Sequence, residues 1–222
     1  MIIGQKFPAT ERVAAGVSYL EMLKEFGWAS CFIVTFFTVL AFSSVFTSLQ
    51  WAHESNLTYW VAAGISLVVT GAFGLKVRSF GQPLFVFLLL VMILLATTEL
   101  GTDGWMGDIM QQVVSKNVGQ WIPVWTAVIM FTLRFFAGPI LHRISPLGLL
   151  CVCSAMASGG LLLISQVTPA ALVVFAAATL YGVGKTFFWP TTLGVVCEQF
   201  PRGGAMTINA IAGVGMISVG VI

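Results

Sequence analysis

The chain is dominated by long apolar runs that carry almost no charge. A helix needs about 20 such residues to cross the hydrocarbon core of a bilayer. Seven runs approach or exceed that length: Trp28–Gln50, Leu57–Leu75, Pro83–Trp105, Gly119–Ile140, Pro146–Ser165, Pro169–Val195 and Ala205–Ile222. The sequence therefore predicts an all-α fold, a polytopic membrane helical bundle of about seven transmembrane helices that has the lipid bilayer as its partner.

The composition argues against several other classes of protein. Only 8% of the residues are charged, against roughly 25% in ordinary soluble domains. The formal net charge of +2 comes from scattered basic residues, so no nucleic-acid partner is expected. The loops lack a nucleophile elbow, a phosphate-binding glycine loop and clustered metal ligands, and the cysteines form no Cys-x-x-Cys pair. We therefore expect neither an enzyme nor a bound cofactor or metal.

The basic residues predict an orientation. If the runs alternate across the bilayer, Lys116 alone falls on one side, and the other side holds Lys6, Arg12, Lys24, Lys76, Arg78, Arg143 and Arg202. Lysine and arginine concentrate in cytoplasmic loops. We therefore expect a multi-pass protein of the plasma (cell inner) membrane with a cytoplasmic amino terminus. Residues 1–27 read as a polar linker in which Val13, Val17 and Leu20 recur at the spacing of an amphipathic helix.

Two short segments carry a resemblance to a known family. The stretch from Arg134 to Gly148, with Gly138 and Arg143 inside it, is similar to the cytoplasmic signature loop of the major facilitator superfamily, although His142 stands where that family has an acid. The segment Cys197–Gly203, with Glu198 and Arg202, resembles the signature that closes the family's tenth helix. The resemblance implies a carboxy-terminal half of a transporter.

The same resemblance assigns a domain organisation. Residues 82–222 correspond to helices seven to eleven, residues 28–81 to two additional transmembrane helices, and residues 1–27 to the linker between halves. The expected partner is then a missing amino-terminal half, and the chain reads as truncated. An alternative makes the first two runs the end of that half, with Lys76–Gln82 as the linker.

Charged side chains inside the runs are the candidate functional residues. Each costs about 2.5 to 3.5 kcal/mol at the centre of a membrane helix, so it needs a partner or a wet cavity. Glu99 and Asp103 share one helix face, and Lys185 lies in a later run. The family's helices seven and ten line its central cavity, which implies that Glu99 and Lys185 face the pathway. The alternative is that these two only neutralise each other for packing.

Aromatic side chains near these charges extend the candidate substrate site to Trp105, Tyr181 and Trp189. Two glycines and Pro190 interrupt the helix that carries Lys185, so we expect a bend there. Interrupted helices near the bilayer midplane are typical of cargo sites in secondary transporters. Packing or anchoring at the membrane interface is the alternative role for the aromatic residues.

A gating role is the expectation for the residues near the cytoplasmic ends. Arg134 can reach toward the loops, where Glu198 is a possible partner, and an ion pair made in one state and broken in the other would bias alternating access. Gly138, Arg143 and Arg202 belong to the same signature segments. The alternative role for Arg134 is to fix the orientation of its helix across the membrane.

The resulting functional hypothesis is secondary active transport by alternating access. We expect proton- or cation-coupled symport of a small polar solute, with Glu99 as proton acceptor and Lys185 orienting the cargo. The string Glu99–Trp105 has some likeness to helix seven of proton-coupled sugar transporters, which makes a sugar the first candidate. The alternatives are efflux of amphipathic compounds and a membrane fragment that transports nothing.

Overall fold

The structure is a computed structural model that describes residues 16–48, 55–138, 143–166 and 170–221. Within these ranges the regular secondary structure is entirely helical, as predicted. The helices are α1 (Tyr19–Ser48), α2 (Ser55–Val77), α3 (Pro83–Ala96), a π-helical turn (Thr97–Gly101), α4 (Thr102–Val113), α5 (Lys116–Gly119), α6 (Trp121–Phe135), α7 (Pro146–Ser165), α8 (Ala171–Lys185), α9 (Phe188–Gln199) and α10 (Gly204–Val221).

Six segments of the described chain are long and apolar enough to cross a membrane. They correspond to six of the seven predicted runs. The remaining run contains α6, which has 15 residues and at 1.5 Å per residue spans about 22 Å. Residues 1–15, 49–54, 139–142, 167–169 and 222 lie outside the described part, and with them most of the predicted linker, His142 and the ends of several predicted runs.

The chain separates into two compact units. One comprises Met1–Leu90, Val196–Ile217 and Val221, and the other comprises Val91–Val195, Ser218–Gly220 and Ile222. We call them the first unit and the second unit. The predicted domain limits follow the order of the runs along the sequence, whereas these units follow contacts in space and divide α3, α9 and α10.

The first unit contains a junction of backbone segments that the sequence did not indicate. The α1 helix is kinked at Gly27, which has φ 70° and ψ 170°. The segment 78–82 pairs with the kink through main-chain bonds from Trp28 N to Ser79 O (3.0 Å), Ala29 N to Phe80 O (3.3 Å) and Gln82 N to Glu25 O (3.1 Å). These bonds satisfy polar groups that the kink frees from the helix. We call residues 24–29 and 78–82 the glycine junction.

Small residues make the close contact at the glycine junction possible. Gly81 has φ 96°, and a Cβ on Gly27 would overlap the backbone of Phe80 and Gly81. Both positions therefore require glycine, for conformation and for space. Around the junction, Phe26 contacts Phe73 and Phe85, each with ring centroids 6.1 Å apart, and Phe85 contacts Phe200 at 5.2 Å.

The second unit is built around α8, which packs against α7 and α6. Gly160 and Gly184 lie where α7 and α8 touch, and a Cβ on either would collide with the opposite backbone. Close approach at small residues is the usual way membrane helices associate. The indole of Trp125 donates a 2.9 Å hydrogen bond to the Thr179 hydroxyl, which joins α6 to α8. These contacts fix the register of α8 and hence the position of Lys185.

Candidate functional site

A π-helical turn positions the first acidic residue of the site. The α3 and α4 helices are joined by Thr97–Gly101, and Glu99 in this turn is only 3% exposed. A π-helical turn inside an α-helix is rare and often marks a functional position. The turn also rotates the residues that follow it relative to a continuous α-helix. The angle between the Glu99 and Asp103 side chains around the helix axis therefore differs from the angle that an ideal α-helix predicts. No pattern in the sequence indicates this turn.

Arg134 on α6 pairs with the Glu99 carboxylate. Its Nη2 donates to Glu99 Oε1 at 3.0 Å, and its Nε donates to the Thr186 carbonyl at 3.2 Å. The Glu99 side chain is 4% exposed and that of Arg134 is 44% exposed. Glu99 Oε2 is buried without a hydrogen bond among the described residues. Arg134 is therefore the main counter-charge of Glu99.

Lys185 at the end of α8 pairs with Asp103. Its Nζ donates to Asp103 Oδ1 and also lies 4.9 Å from the centroid of the Tyr181 ring. The Lys185 side chain is fully buried, whereas that of Asp103 is 35% exposed. An ammonium group buried this deeply requires a partner. The Asp103 carboxylate and the Tyr181 ring supply it.

Tyr181 links α8 to the helical segments that carry Glu99 and Asp103. It is fully buried, and its hydroxyl contacts the Thr98 carbonyl at 2.6 Å and the Thr102 hydroxyl. The Thr102 hydroxyl also bonds to the Thr98 carbonyl at 2.5 Å. A carbonyl at the π-helical turn thus receives donors from α8 and α4. We call Glu99, Asp103, Arg134, Tyr181 and Lys185 the charged cluster.

The pairing within the charged cluster differs from the sequence-based expectations. The alternative predicted that Lys185 and Glu99 neutralise each other. This pairing is wrong, because Lys185 forms an ion pair with Asp103, and Glu99 forms one with Arg134. The predicted partner of Arg134 is Glu198, whereas its hydrogen bonds go to Glu99 and Thr186. The register of the packed helices determines these partners, which cannot be read from the spacing of the residues along the sequence.

An open groove of about 460 Å³ lies beside the charged cluster. We call it the α6 groove, and it is lined by Asp103, Ala127, Met130, Phe131, Arg134 and Phe135. Its two charged residues are the exposed members of the two ion pairs. The remaining lining residues are apolar and belong to α6, whose only predicted site residue is Arg134.

The structure separates the other predicted residues from this groove. Trp105 is 55% exposed and is not among the residues that line it. Trp189 is partly buried and is not among the residues that line the groove either. The predicted gating residues Gly138 and Arg143 are exposed. Glu198 and Arg202 are exposed in the first unit, and their gating role stays a prediction.

The predicted interruption of the Lys185 helix is confirmed. The α8 helix ends at Lys185 and α9 begins at Phe188, so the break falls at Thr186–Phe187, just before Pro190. Proline cannot donate the backbone hydrogen bond that would continue the helix at this point. The break exposes the Thr186 carbonyl to the Arg134 guanidinium. Thr98, Thr102 and Thr186 also contact the charged residues or Tyr181 and are not among the predicted site residues.

These features define the class of the protein as a polytopic, all-α membrane protein with two ion pairs, in which Glu99, Asp103 and Lys185 lie in segments long and apolar enough to cross a membrane. The chain matches no protein-family model, no curated protein and no solved structure.

Proposed function

We propose that this protein is a secondary active transporter that couples movement of a proton or cation to symport of a small polar solute by alternating access. The observation that carries the proposal is the presence of two ion pairs, Arg134–Glu99 and Lys185–Asp103, beside an open groove lined mainly by the apolar helix α6. The resemblance to the major facilitator superfamily adds support through its signature segments. The proposed location is the plasma (cell inner) membrane, with the amino terminus in the cytoplasm.

The cost of charge in a membrane supports a functional role for the cluster. Each ionised group costs about 2.5 to 3.5 kcal/mol at the centre of a helix, and intramembrane charges generally mark ion or substrate pathways. A purely structural core is served better by apolar packing, because replacing a buried ion pair with apolar residues is often neutral or stabilising. Four ionised groups in one cluster are therefore a costly arrangement for packing alone.

Glu99 is the proposed proton acceptor. It is buried, it has one carboxylate oxygen without a hydrogen bond among the described residues, and its main counter-charge is Arg134. Protonation would neutralise the carboxylate and leave the guanidinium uncompensated, which favours a rearrangement that brings Arg134 to an anionic or polar group elsewhere. The break at Thr186–Phe187 supplies a point where α8 and α9 can move separately.

Uptake by the full chain in proteoliposomes tests the proposal. The probes are a labelled hexose, labelled L-leucine and labelled L-phenylalanine, each with and without an imposed pH gradient. We expect gradient-driven uptake of at least one probe, and loss of the gradient dependence in Glu99→Gln. Asp108→Asn is the matched control, since Asp108 is an exposed carboxylate on α4. Coupled uptake that survives Glu99→Gln intact would remove the proton-acceptor role, and no flux of any probe would contradict transport.

Efflux of amphipathic compounds is the second candidate. The apolar side chains of Met130, Phe131 and Phe135 in the α6 groove favour it. Labelled tetraphenylphosphonium, an amphipathic cation, distinguishes the two directions in the same vesicles. Extrusion against its gradient when protons flow in the opposite direction would support efflux. Gradient-driven uptake of a polar probe without movement of this cation supports symport.

A further inference from the structure

Each ion pair of the charged cluster has one buried member and one exposed member. The buried members are Lys185 and Glu99, with 0% and 4% side-chain exposure, and the exposed members are Asp103 and Arg134, with 35% and 44%. The buried member is the cation in the Lys185–Asp103 pair and the anion in the Arg134–Glu99 pair. The α6 groove therefore presents one carboxylate and one guanidinium, and each of them forms an ion pair with a buried group of opposite charge.

Both exposed groups retain unused hydrogen-bonding capacity. Arg134 uses Nε and Nη2, and its Nη1 makes no hydrogen bond among the described residues. Asp103 receives Lys185 on Oδ1, and its Oδ2 makes no hydrogen bond among them either. A carboxylate accepts through both oxygens, and a guanidinium donates through every nitrogen. The groove can therefore bind an ammonium and a carboxylate at the same time without breaking either ion pair.

The rest of the groove is an apolar wall on α6. Phe131 and Phe135 are 67% and 71% exposed, and their rings meet edge to face with centroids 4.8 Å apart. Ala127 and Met130 complete the wall. The volume of about 460 Å³ lies in the range of small-molecule sites, roughly 300 to 1,000 Å³. The wall suits the apolar part of a ligand of amino-acid size.

We propose that the α6 groove binds a small zwitterion with an apolar substituent, with its ammonium on Asp103, its carboxylate on Arg134 and its apolar part against Phe131 and Phe135. The inference rests on the proposed transport function, because it identifies the cargo class of the same groove. A ligand with a single charge satisfies only one exposed group and adds a net charge to a membrane-embedded site. A neutral sugar pairs with neither charge.

Binding to the full chain in lipid nanodiscs tests the cargo class directly. The probes are L-phenylalanine, 3-phenylpropionate, which lacks the ammonium, and phenethylamine, which lacks the carboxylate. A charged hydrogen bond contributes about 1.5 to 3 kcal/mol, so each single-charge analogue should bind about tenfold more weakly or worse. L-leucine tests whether an aliphatic group also fits the wall.

Charge-balanced variants assign each half of the ligand without leaving a buried charge unpaired. In Arg134→Gln with Glu99→Gln, L-phenylalanine should lose its advantage over phenethylamine and keep its advantage over 3-phenylpropionate. In Asp103→Asn with Lys185→Met, L-phenylalanine should lose its advantage over 3-phenylpropionate and keep its advantage over phenethylamine. Asp108→Asn is the control and should bind all three probes as the parent chain does.

Binding and transport measured together separate this inference from the proposed function. If L-phenylalanine and L-leucine bind no more tightly than the single-charge analogues, the zwitterion site is wrong, and proton-driven uptake of a hexose in that case would leave transport standing. If the zwitterions bind with the expected selectivity but no probe crosses the membrane, the binding site stands and transport is wrong.

Discussion

The charged cluster of the second unit and the glycine junction of the first unit satisfy polar groups inside apolar helices in opposite ways. The charged cluster uses long side chains whose charges cancel in pairs, Arg134–Glu99 and Lys185–Asp103. The glycine junction uses mainly backbone groups, with main-chain bonds between residues 25–29 and 79–82 and one side-chain bond from the Ser79 hydroxyl to the Lys24 carbonyl. One arrangement depends on charge and the other on the lack of a side chain at two glycines.

This difference indicates which region can change state. Side-chain ion pairs can exchange partners or protons with rotamer changes, so the charged cluster can respond to a ligand or to pH. The glycine junction requires φ 70° at Gly27 and φ 96° at Gly81, and its close backbone contact leaves no space for rearrangement. We therefore expect variants of the glycine junction to change stability alone, and variants of the charged cluster to change stability and function together.

The largest expected effect comes from Gly27→Ala. The added Cβ overlaps the backbone of Phe80 and Gly81, and alanine is strained at this φ, so we expect a loss of about 4 kcal/mol or more in unfolding free energy. The measurement is unfolding in mixed micelles by titration with dodecyl sulfate. Gly71→Ala is the control, because a Cβ there meets nothing within 4 Å. Equal stability of the two variants would show that the junction is not a tight contact.

The second prediction is an asymmetry between the members of one ion pair. Asp103→Asn leaves the fully buried Lys185 without its counter-charge and should lower the unfolding free energy by about 3 kcal/mol. Lys185→Met removes the buried ammonium and keeps its apolar stem, so it should cost less than about 1 kcal/mol. The same micelle titration measures both variants and the double variant. An equal cost for the two single variants would contradict the burial assigned to Lys185.

Tyr181→Phe should have a smaller effect. It removes the hydroxyl that contacts the Thr98 carbonyl and the Thr102 hydroxyl, and hydrogen bonds between membrane helices average about 0.6 kcal/mol. We expect a loss of about 1 kcal/mol in unfolding free energy. Tyr59→Phe is the matched control, since Tyr59 is 52% exposed. A loss no larger than that of the control would show that Tyr181 does not support the π-helical turn.

The smallest expected effect has the opposite sign. Arg78 follows the end of α2 with φ 50°, and its N–H bonds to the Gly74 carbonyl at 2.8 Å. Glycine is preferred at a left-handed position that ends a helix, so Arg78→Gly should raise the unfolding free energy by about 0.5 to 1 kcal/mol. Arg143→Gly removes an exposed arginine elsewhere and serves as the comparison. A loss of stability in Arg78→Gly would mean that the side chain, rather than the backbone, holds this position.

Much of the fold was predictable because it depends on local apolar content. A long apolar run forms a membrane helix wherever it lies in the chain, so six of the seven predicted runs correspond to segments that can cross a membrane. The break after Lys185 was predictable from two glycines and a proline close together in the sequence. The candidate charged residues were also predictable, since any charge inside an apolar run stands out.

The arrangement of the site was not predictable from the same information. Glu99, Asp103, Arg134 and Lys185 were each identified, but their pairing depends on the register of α4, α6 and α8. The π-helical turn has no sequence signal, because threonines and glycine are compatible with an ordinary helix. Trp105 was a candidate on proximity in sequence, and the structure leaves it outside the groove.

The sequence by itself determined that the chain is helical, that its helices are suited to a bilayer and which charged residues are candidates for a functional role. Each of these properties follows from the solvation of single residues and short segments, which does not require knowledge of neighbours in space. The tertiary structure alone decided that Arg134 compensates Glu99, that Lys185 is buried against Asp103, and that Gly27 meets Gly81. These are contacts between distant segments, and their energies depend on distances that only packed helices define.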